Sequence, residues 1–243
     1  MRALGLLAIV ACGSEPITSE PAIDAGADVA AVASDSGAAA DAQVQPEPTL
    51  AALVRAKTAA CAQQISTGKY ALDQGSADVV PVCQLQDAVF FTADMDIDCD
   101  GKVSAKCSKT TDPSFLPSTA GTDSKGQPLD AATLPYVVVP LAGTRFDYRK
   151  HGIAMGSTVA VLYKDTIAYG VVGDAGPSAI IGEASYAMAE RLAINPNPKS
   201  GGTDSGVTYI IFTSAGSAVK KLEDNAEATT VGTAKLHALL GIP

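Results

Sequence analysis

The densest pattern of the sequence is Tyr169-Gly170-Val171-Val172-Gly173-Asp174-Ala175-Gly176-Pro177, which is followed closely by Ile180-Ile181-Gly182-Glu183-Ala184. Its first part is a β-rich run that ends at Asp174, and Gly176-Pro177 predicts a turn. A short apolar run then leads to Glu183, at the predicted start of a helix over residues 184–194. The chain therefore makes a tight turn, with the carboxylate of Asp174 before the turn and that of Glu183 after it.

Four further β-rich runs are bounded by Gly, Pro, Asp or Asn, and they cover residues 88–91, 136–139, 158–163 and 207–212. Lys164-Asp165-Thr166 predicts a hairpin turn between the run at 158–163 and the run that contains Val171. Further helices are predicted from Thr49 to Gly68 and over residues 233–240. Many short strands with peripheral helices predict a mainly β fold, built as a closed or nearly closed β-barrel.

The charge of the chain is unevenly distributed and argues against a nucleic-acid partner. The formal net charge of the 243 residues is -9. Residues 13–48 hold seven acidic and no basic residues, whereas residues 49–243 hold 19 acidic and 16 basic residues. The basic residues are scattered, although phosphate contacts require clustered Lys and Arg. A cationic partner suits this chain better.

The N-terminal segment predicts export. Residues 1–11 combine a positive start at Arg2 with an apolar run, as in a signal peptide. Ile9-Val10-Ala11-Cys12 resembles the bacterial lipobox, in which the peptide is cleaved before the Cys and the thiol is lipidated. We expect a lipid anchor on Cys12 at the cell envelope, on the outer membrane or cell surface, without a transmembrane helix. The alternative is an ordinary secretory peptide and a secreted protein.

Residues 12–48 consist mostly of small, acidic and proline residues, too few of them apolar to offset the entropy of an ordered chain. We expect a disordered acidic tether there, followed by one catalytic domain over residues 49–243.

Four cysteines remain in that domain, and in an exported protein they predict two disulfides with three possible connectivities. We favour Cys61–Cys83 with Cys99–Cys107, since the second pair closes a short loop. Zinc is the alternative, but the cysteines lack CxxC spacing.

Asp174 and Glu183 are candidates for acid–base catalysis. Glycoside hydrolysis needs one protonated carboxyl to assist the leaving oxygen and one ionised carboxylate to activate water or attack carbon. Ile181 and Tyr186 lie beside Glu183 and can raise its pKa, so we assign Glu183 as the acid and Asp174 as the base. The reverse assignment stays open. So does a purely structural role, because Asp at a strand end and Glu at a helix start are common.

A row of acidic residues alternates along the run after Phe91, at Asp94, Asp96, Asp98 and Asp100. Alternation places these carboxylates on one face of an extended segment, where they favour a bound cation. Asp96-x-Asp98-x-Asp100-Gly101 matches the opening of an EF-hand loop, but position 12 falls on Cys107 where a Glu is required. An ammonium-bearing sugar polymer fits the row better, with Asp94, Asp96 and Asp98 as its contacts. An acidic, solvated loop is the alternative.

These motifs together resemble the fungal-type chitosanases of glycoside hydrolase family 75, in order over residues 85–213. The resemblance is carried by Ala93–Gly101, Leu134–Pro140, Tyr169–Pro177 and Ile181–Ser185. It implies endo-hydrolysis of β-1,4-linked glucosamine in chitosan with inversion at the anomeric carbon, by an Asp and a Glu that correspond to Asp174 and Glu183. The loop of residues 175–182 is shorter than in fungal members. The strand, Gly-Pro turn and helix also resemble double-psi β-barrels, so we predict a six-stranded barrel of that kind.

The remaining predictions concern partners. The chain has no Trp, so sugar stacking falls to tyrosines, and Tyr136 and Tyr148 are candidates although each also suits the core. We expect no metal and no cofactor, because phosphate loops, dinucleotide fingerprints and metal-ligand motifs are absent from the sequence. We also expect a monomer. The rival functions are a peptidoglycan lytic transglycosylase-like enzyme and a non-catalytic, expansin-like polysaccharide-binding lipoprotein.

Overall fold

The computed structural model describes residues 47–243, and most of this segment is β-structure. The elements, in chain order, are α1 (Leu50–Lys57), β1 (Tyr70–Ala71), β2 (Asp78–Val80), β3 (Cys83–Leu85), β4 (Ala88–Asp98), β5 (Tyr136–Val139), a 3₁₀ helix (Tyr148–His151), β6 (Thr158–Tyr163), β7 (Thr166–Ala175), β8 (Glu183–Ser185), α2 (Tyr186–Arg191), β9 (Thr203–Phe212) and α3 (Asn225–Leu240). The β-rich runs of the sequence all become strands.

Six strands close into a barrel in the order β4-β8-β5-β7-β6-β9, and β9 pairs again with β4. Strand β3 lies outside this ring and pairs with the first residues of β4. The pairs β4–β8 and β5–β7 are parallel, whereas the other pairs of the ring are antiparallel. The predicted mainly β fold with peripheral helices and a six-stranded barrel is confirmed. Two parallel pairs distinguish this ring from an up-and-down barrel, as expected for a double-psi-like arrangement.

The barrel interior is filled by alternate residues of its strands, because successive side chains of a strand point to opposite faces. Phe91 of β4 and Tyr209 of β9 stack there with ring centroids 4.7 Å apart. The outer face is covered in two places. Helices α1 and α3 pack over Phe90 and Ile210, and the loop between β4 and β5 packs over Tyr136. The strands of the barrel are thus buried on both faces over most of their length.

The helices differ from the sequence prediction at their boundaries. Helix α1 ends at Lys57 and not near Gly68, because Cys61 is bonded to Cys83 and the Ile65 N–H donates to the Val82 carbonyl. Helix α2 begins at Tyr186, two residues later than predicted, since residues 183–185 pair with β4 as β8. Helix α3 is eight residues longer at its start than predicted, with Asp224 as its N-cap.

Two disulfides join Cys61 to Cys83 and Cys99 to Cys107, with Cα atoms 5.4 and 5.0 Å apart. The first ties the segment after α1 to β3. The second closes the turn that follows β4. The acidic end of β4 is therefore held by a covalent loop directly after its last residue.

The predicted signal peptide (residues 1–11), the lipidation site Cys12 and the predicted tether up to residue 46 lie outside the described residues. From residue 47 onwards, no helix combines the length and the apolar character needed to cross a membrane.

Candidate active site

A cleft of about 560 Å³ opens on the outer side of the barrel, where β4, β7 and β8 come together with the loop between β4 and β5. Five carboxylate residues line it, and no Lys, Arg or His of residues 47–243 does: these acids are Asp98, Asp100, Asp112, Asp174 and Glu183. Both residues predicted for acid–base catalysis are among them. The cleft is therefore strongly acidic, and both members of the predicted catalytic pair face it.

A β-bulge directs Asp174 into the cleft. Val137 of β5 is paired with Val172 of β7, but the next residue, Val138, is paired with Asp174, so Gly173 is the extra residue. One extra residue turns the side chains that follow to the other face of a strand. A side chain at Gly173 would not fit, because a Cβ there would lie 2.6 Å from the Cβ of Tyr136. Glycine thus permits the bulge that moves Asp174 out of the barrel interior.

Asp174 is almost buried, with 8% of its surface exposed, and two backbone groups hold it. Its Oδ1 accepts hydrogen bonds from the N–H groups of Ala120 and Ala175, each at 2.7 Å. Burial raises the pKa of the Asp174 carboxyl above its ordinary value, and these two hydrogen bonds lower it. Because N–H donors stabilise the ionised form, Asp174 is suited to act as a carboxylate.

Glu183 is the first residue of β8 and is the register partner of Asp96 on β4. Burial, followed by the negative charges of Asp96 and Asp100, raises the pKa of Glu183 to about 7. The sequence placed Glu183 at a helix start, whereas the structure places it on a strand three residues before α2. A carboxyl with this pKa keeps its proton in mildly acidic solution.

Asp98 and Asp100 stand at the end of β4, and an oxygen of each lies within 4.8 Å of an oxygen of Asp174 and of the other. Burial raises the pKa of Asp98 well above its ordinary value and that of Asp100 to about 6. Asp98 accepts a hydrogen bond from the Asp100 N–H, and Asp100 accepts one from the Leu116 N–H, both at 2.7 Å. Three acids are thus concentrated on one side of the cleft.

The other predicted contact residues occupy different surroundings. Asp94 is 4% exposed and Asp96 is exposed, and neither lines the cleft. Tyr136 has no exposed surface, and its hydroxyl donates to the Asp100 carbonyl at 3.1 Å. Tyr148 is half-buried on the 3₁₀ helix, packed against the barrel core. Since a ring without exposed surface cannot stack on a sugar, Tyr136 supports the cleft from beneath.

Asp112, Leu116 and Leu141 are among the cleft residues that the sequence did not indicate. Asp112 is buried and accepts a hydrogen bond from the Ser114 N–H at 2.8 Å. Leu116 and Leu141 are 55% and 50% exposed and line the cleft as apolar side chains. They lie on loops whose sequences carry no periodic pattern, so their position depends on the fold. The only available signal is two large apolar residues in otherwise polar loops.

The arrangement supplies the elements of acid–base chemistry on a cationic ligand. Glu183 can hold a proton near neutral pH, and Asp174 is stabilised as a carboxylate. The remaining carboxylates of the cleft attract positive charge, and the two leucines offer apolar contact to a ring. Asp98, Asp100 and Asp174 could also approach one metal ion, although this set belongs to the cleft itself.

Comparison with known proteins assigns the chain to a family. The family model described as fungal chitosanase of glycosyl hydrolase group 75 matches residues 95–239. An endo-chitosanase of Aspergillus oryzae (strain ATCC 42149 / RIB 40) is 38% identical over 134 residues, which are 50% of this chain and 54% of that protein. Endo-chitosanase B of the same strain is 35% identical over 146 residues, 54% of this chain and 61% of that protein.

A third relative, endo-chitosanase C of Aspergillus oryzae, is 31% identical over 130 residues, which are 52% of this chain and 32% of that protein. The chain spans about half the length of the first of these relatives. The family match contains Asp174 and Glu183 and begins one residue after Asp94. Since this match covers more than half of the 243 residues, the chain belongs to the family of fungal chitosanases of glycosyl hydrolase group 75.

Proposed function

We propose that the protein is an endo-acting chitosanase that hydrolyses β-1,4 linkages between glucosamine units of chitosan. The observation that carries this proposal is the cleft itself, which is lined by five carboxylate residues and, within the part of the chain that the structure describes, by no basic residue. Such a cleft favours a polymer whose units each carry an ammonium group and repels the anionic polysaccharides. The family membership and the names of the Aspergillus relatives support the same substrate.

In this proposal Glu183 is the general acid and Asp174 the general base. Glu183 donates its proton to the glycosidic oxygen as the bond to the anomeric carbon breaks. Asp174 takes a proton from the water that attacks this carbon from the opposite face, which inverts its configuration. The raised pKa of Glu183, about 7, and the two N–H donors to Asp174 support these roles. Inversion requires the two carboxyls to be roughly 6.5–9.5 Å apart, leaving room for the water.

The substrate is held by the other carboxylates of the cleft. Asp98 is the predicted ammonium contact that lines the cleft, and Asp112 extends the acidic wall on the opposite loop. An ammonium group near Asp98 favours the ionised carboxylate, which burial alone disfavours. The ammonium contacts at Asp94 and Asp96 stay predictions, because both residues lie outside the cleft in a separate cluster with Asp73.

The test is product analysis on well-deacetylated chitosan, with chitin and peptidoglycan alongside. Reducing-sugar release and product mass are measured for the wild type, Glu183→Gln and Asp174→Asn. Loss of an acid or base costs roughly 10²–10⁴-fold in kcat. Glu190→Gln and Asp165→Asn are matched controls, since both residues are exposed and lie outside the cleft. These controls should keep wild-type activity.

The outcomes separate the candidate functions. Glucosamine oligomers that disappear in Glu183→Gln and Asp174→Asn support the proposal, and proton NMR of the first product should show the α-anomer. A β-anomer would overturn inversion. Anhydro-sugars from peptidoglycan, without cleavage of chitosan, would indicate a lytic transglycosylase. Binding of polysaccharide without any cleavage would leave an expansin-like binding protein.

The proposal includes a lipid anchor on Cys12, which rests on the signal-like residues 1–11 and the lipobox-like sequence before Cys12. An anchored enzyme would act on polymer close to the cell envelope. Incorporation of labelled palmitate into the wild type, and its loss in Cys12→Ser, measures this directly. A wild type that is released without lipid would instead be a secreted enzyme.

A further inference from the structure

A second group of acidic side chains lies beside the cleft but does not line it. It consists of Asp73, in the turn after β1, and of Asp94 and Asp96 on β4. One carboxylate oxygen of each residue lies within 4.8 Å of those of the other two. Asp73 and Asp94 precede the family match, which begins at residue 95. We call this group the Asp73 cluster.

Asp94 is the buried member of the Asp73 cluster, and one of its oxygens has no partner. The residue is 4% exposed, and its Oδ1 accepts no hydrogen bond from the described residues. A buried polar atom without a partner costs free energy, and a buried charge costs more. The nearby Tyr209 hydroxyl donates to the Asp94 backbone carbonyl at 2.8 Å and not to its side chain. The Asp94 Oδ1 therefore has no donor among the described residues.

The backbone at Gly182 is shaped around this carboxylate. Gly182 has φ +122°, and a Cβ at this position would lie 1.9 Å from the Asp94 Oδ1. The Gly182 carbonyl accepts a hydrogen bond from the Asp96 N–H at 2.8 Å. A side chain at position 182 would therefore displace the buried oxygen, and glycine keeps this space open next to Asp94.

No positive charge balances the Asp73 cluster within residues 47–243. The ion pairs in this part of the chain involve Asp78, Asp147, Asp165 and Glu190, and none of the three cluster residues. A further charge near the cluster is also negative, because Asp204 raises the pKa of Asp94, after burial, Asp96 and Asp73. Three carboxylates that converge without a base are relieved either by keeping a proton, as the pKa of about 7 at Asp94 allows, or by a cation from outside the chain.

We propose that Asp73, Asp94 and Asp96 form a binding site for a divalent metal ion of the calcium type. Calcium takes six to eight oxygen ligands at roughly 2.3–2.6 Å, so one ion can reach oxygens that are up to about 5 Å apart. The spacing within the cluster satisfies this limit. Magnesium binds at roughly 2.0–2.1 Å and needs a stricter octahedron, which suits a cluster with two exposed members less well.

The ion would fasten the segment before β2 to the barrel. Asp73 lies in a turn closed by the Ser76 N–H, which donates to the Asp73 carbonyl at 3.1 Å. Two residues earlier, Ala71 accepts a hydrogen bond from the Ile181 N–H at 3.1 Å. Ile181 leads directly to Glu183. Calcium at Asp73 thus ties together β4 and the loop that positions the proposed catalytic acid.

The test is isothermal titration calorimetry of CaCl₂ into the protein after treatment with EDTA, with MgCl₂ and glucosamine hydrochloride titrated in parallel. The variants are Asp73→Asn, which replaces one ligand carboxylate by a neutral amide, and Asp204→Asn, which removes a neighbouring charge and keeps all three ligand carboxylates. We expect one calcium site with a Kd of about 0.01–1 mM. Asp73→Asn should weaken it at least about tenfold, and Asp204→Asn by less than about threefold.

Thermal unfolding provides a second readout, because an ion that binds only the folded protein raises Tm. Calcium should raise the Tm of the wild type and of Asp204→Asn, and much less that of Asp73→Asn. The site is overturned if the wild type binds no calcium up to 10 mM, or if Asp73→Asn leaves calcium binding unchanged. It is equally overturned if glucosamine, and not calcium, binds in an Asp73-dependent way. None of these readouts depends on cleavage of chitosan.

Discussion

Asp96 and Glu183 are register partners on the parallel strands β4 and β8. Partners in register point to the same face of a sheet, so the row of acids on β4 is placed beside Glu183 by backbone pairing. The negative charge of Asp96 is the largest contribution, after burial, to the raised pKa of Glu183. The same strand that supplies acids to the cleft therefore also sets the proton affinity of the proposed catalytic acid.

The raised pKa of Glu183 predicts the alkaline limit of activity. If Glu183 is the general acid, activity falls as its proton is lost, at a pH near 7. Asp174 must be ionised, so activity also falls at low pH, below a pKa that burial raises above 3.8. We expect a bell-shaped dependence of kcat/KM on pH. The profile is measured as initial rates on soluble chitosan oligomers between pH 3 and 8.

Asp100→Asn tests the cause of that limit. Asp100 carries a negative charge that raises the pKa of Glu183, and an amide at this position can still accept the Leu116 N–H. Removing a negative charge lowers the pKa of a neighbouring carboxyl, so the alkaline limb of the profile should move to lower pH. Comparison on the same substrate cancels the titration of its own amines. If the alkaline limb does not move in Asp100→Asn, Glu183 is not the general acid.

The same pKa predicts how stability changes with pH. The folded protein holds the Glu183 proton more tightly than the unfolded chain, whose ordinary pKa is 4.5. The contribution to stability is therefore complete below about pH 4.5 and is lost as pH rises through about 7. Glu183→Gln should raise the free energy of unfolding by about 1–3 kcal/mol at pH 8 and by little at pH 4.5.

Thermal unfolding in EDTA measures this difference. Glu190→Gln is the matched control, because Glu190 is exposed on α2 and paired with Lys106 at 2.8 Å. It should show no gain at pH 8. An equal gain for Glu183→Gln at both pH values would show that the amide acts by packing and not through the lost charge.

The barrel, and the tight turn between the proposed catalytic residues Asp174 and Glu183, were accessible from the sequence because local patterns carry them. The runs rich in β-branched residues indicate β5, β6, β7 and β9. The Gly-Pro turn after Asp174 indicates that the chain reverses before it reaches Glu183. A hairpin was predicted at Lys164-Asp165-Thr166 from its position between two β-rich runs, and the structure forms it with Lys164 and Asp165 as the turn, since Tyr163 pairs with Thr166. In these cases the sequence within about ten residues determines the structure.

Features that depend on distant segments were not accessible. Strand β8 is three residues long and exists through its pairing with β4, so its sequence looks like the start of a helix. The bulge at Gly173 depends on the close approach of Tyr136. Asp73 joins Asp94 across 21 residues. A single sequence shows the residues of such contacts but not the tertiary geometry that brings them together.

The leucines of the cleft should contribute to substrate binding. Leu116 and Leu141 are about half exposed and line the cleft of a chain without Trp. If sugar rings cover them, truncation to Ala loses roughly 0.5–1.5 kcal/mol of apolar contact, which is about a 2–10-fold rise in KM. The kcat value should change little. Initial rates over a range of chitosan-oligomer concentrations separate the two parameters.

Val103→Ala is the control for the leucines, because Val103 is 64% exposed and does not line the cleft. Its KM should equal that of the wild type. The free energy of unfolding of all three alanine variants should lie within about 0.5 kcal/mol of the wild-type value, since truncation of an exposed side chain opens no cavity. A fall in kcat without a change in KM would show instead that the leucines order the loops that hold the catalytic residues.

Gly173→Ala should separate the barrel from its active site. A methyl group at residue 173 would lie 2.6 and 2.7 Å from the Cβ and Cγ of Tyr136. Carbon atoms do not approach so closely, so the backbone would have to shift. The fully buried Tyr136 cannot move aside, so we expect a loss of about 1–3 kcal/mol in the free energy of unfolding. The bulge also directs Asp174, so kcat should fall by at least about tenfold, since small misplacements of catalytic groups are costly.

Gly143→Ala is the matched control for this substitution. Gly143 lies in an exposed loop, and a Cβ there would meet no atom closer than 3.8 Å. It should keep both stability and kcat. A Gly173→Ala protein that is destabilised but fully active below its Tm would mean that Asp174 reaches the cleft without help from the bulge. Full stability with lost activity would mean that the bulge relaxes into regular pairing, which returns residue 174 to the barrel interior.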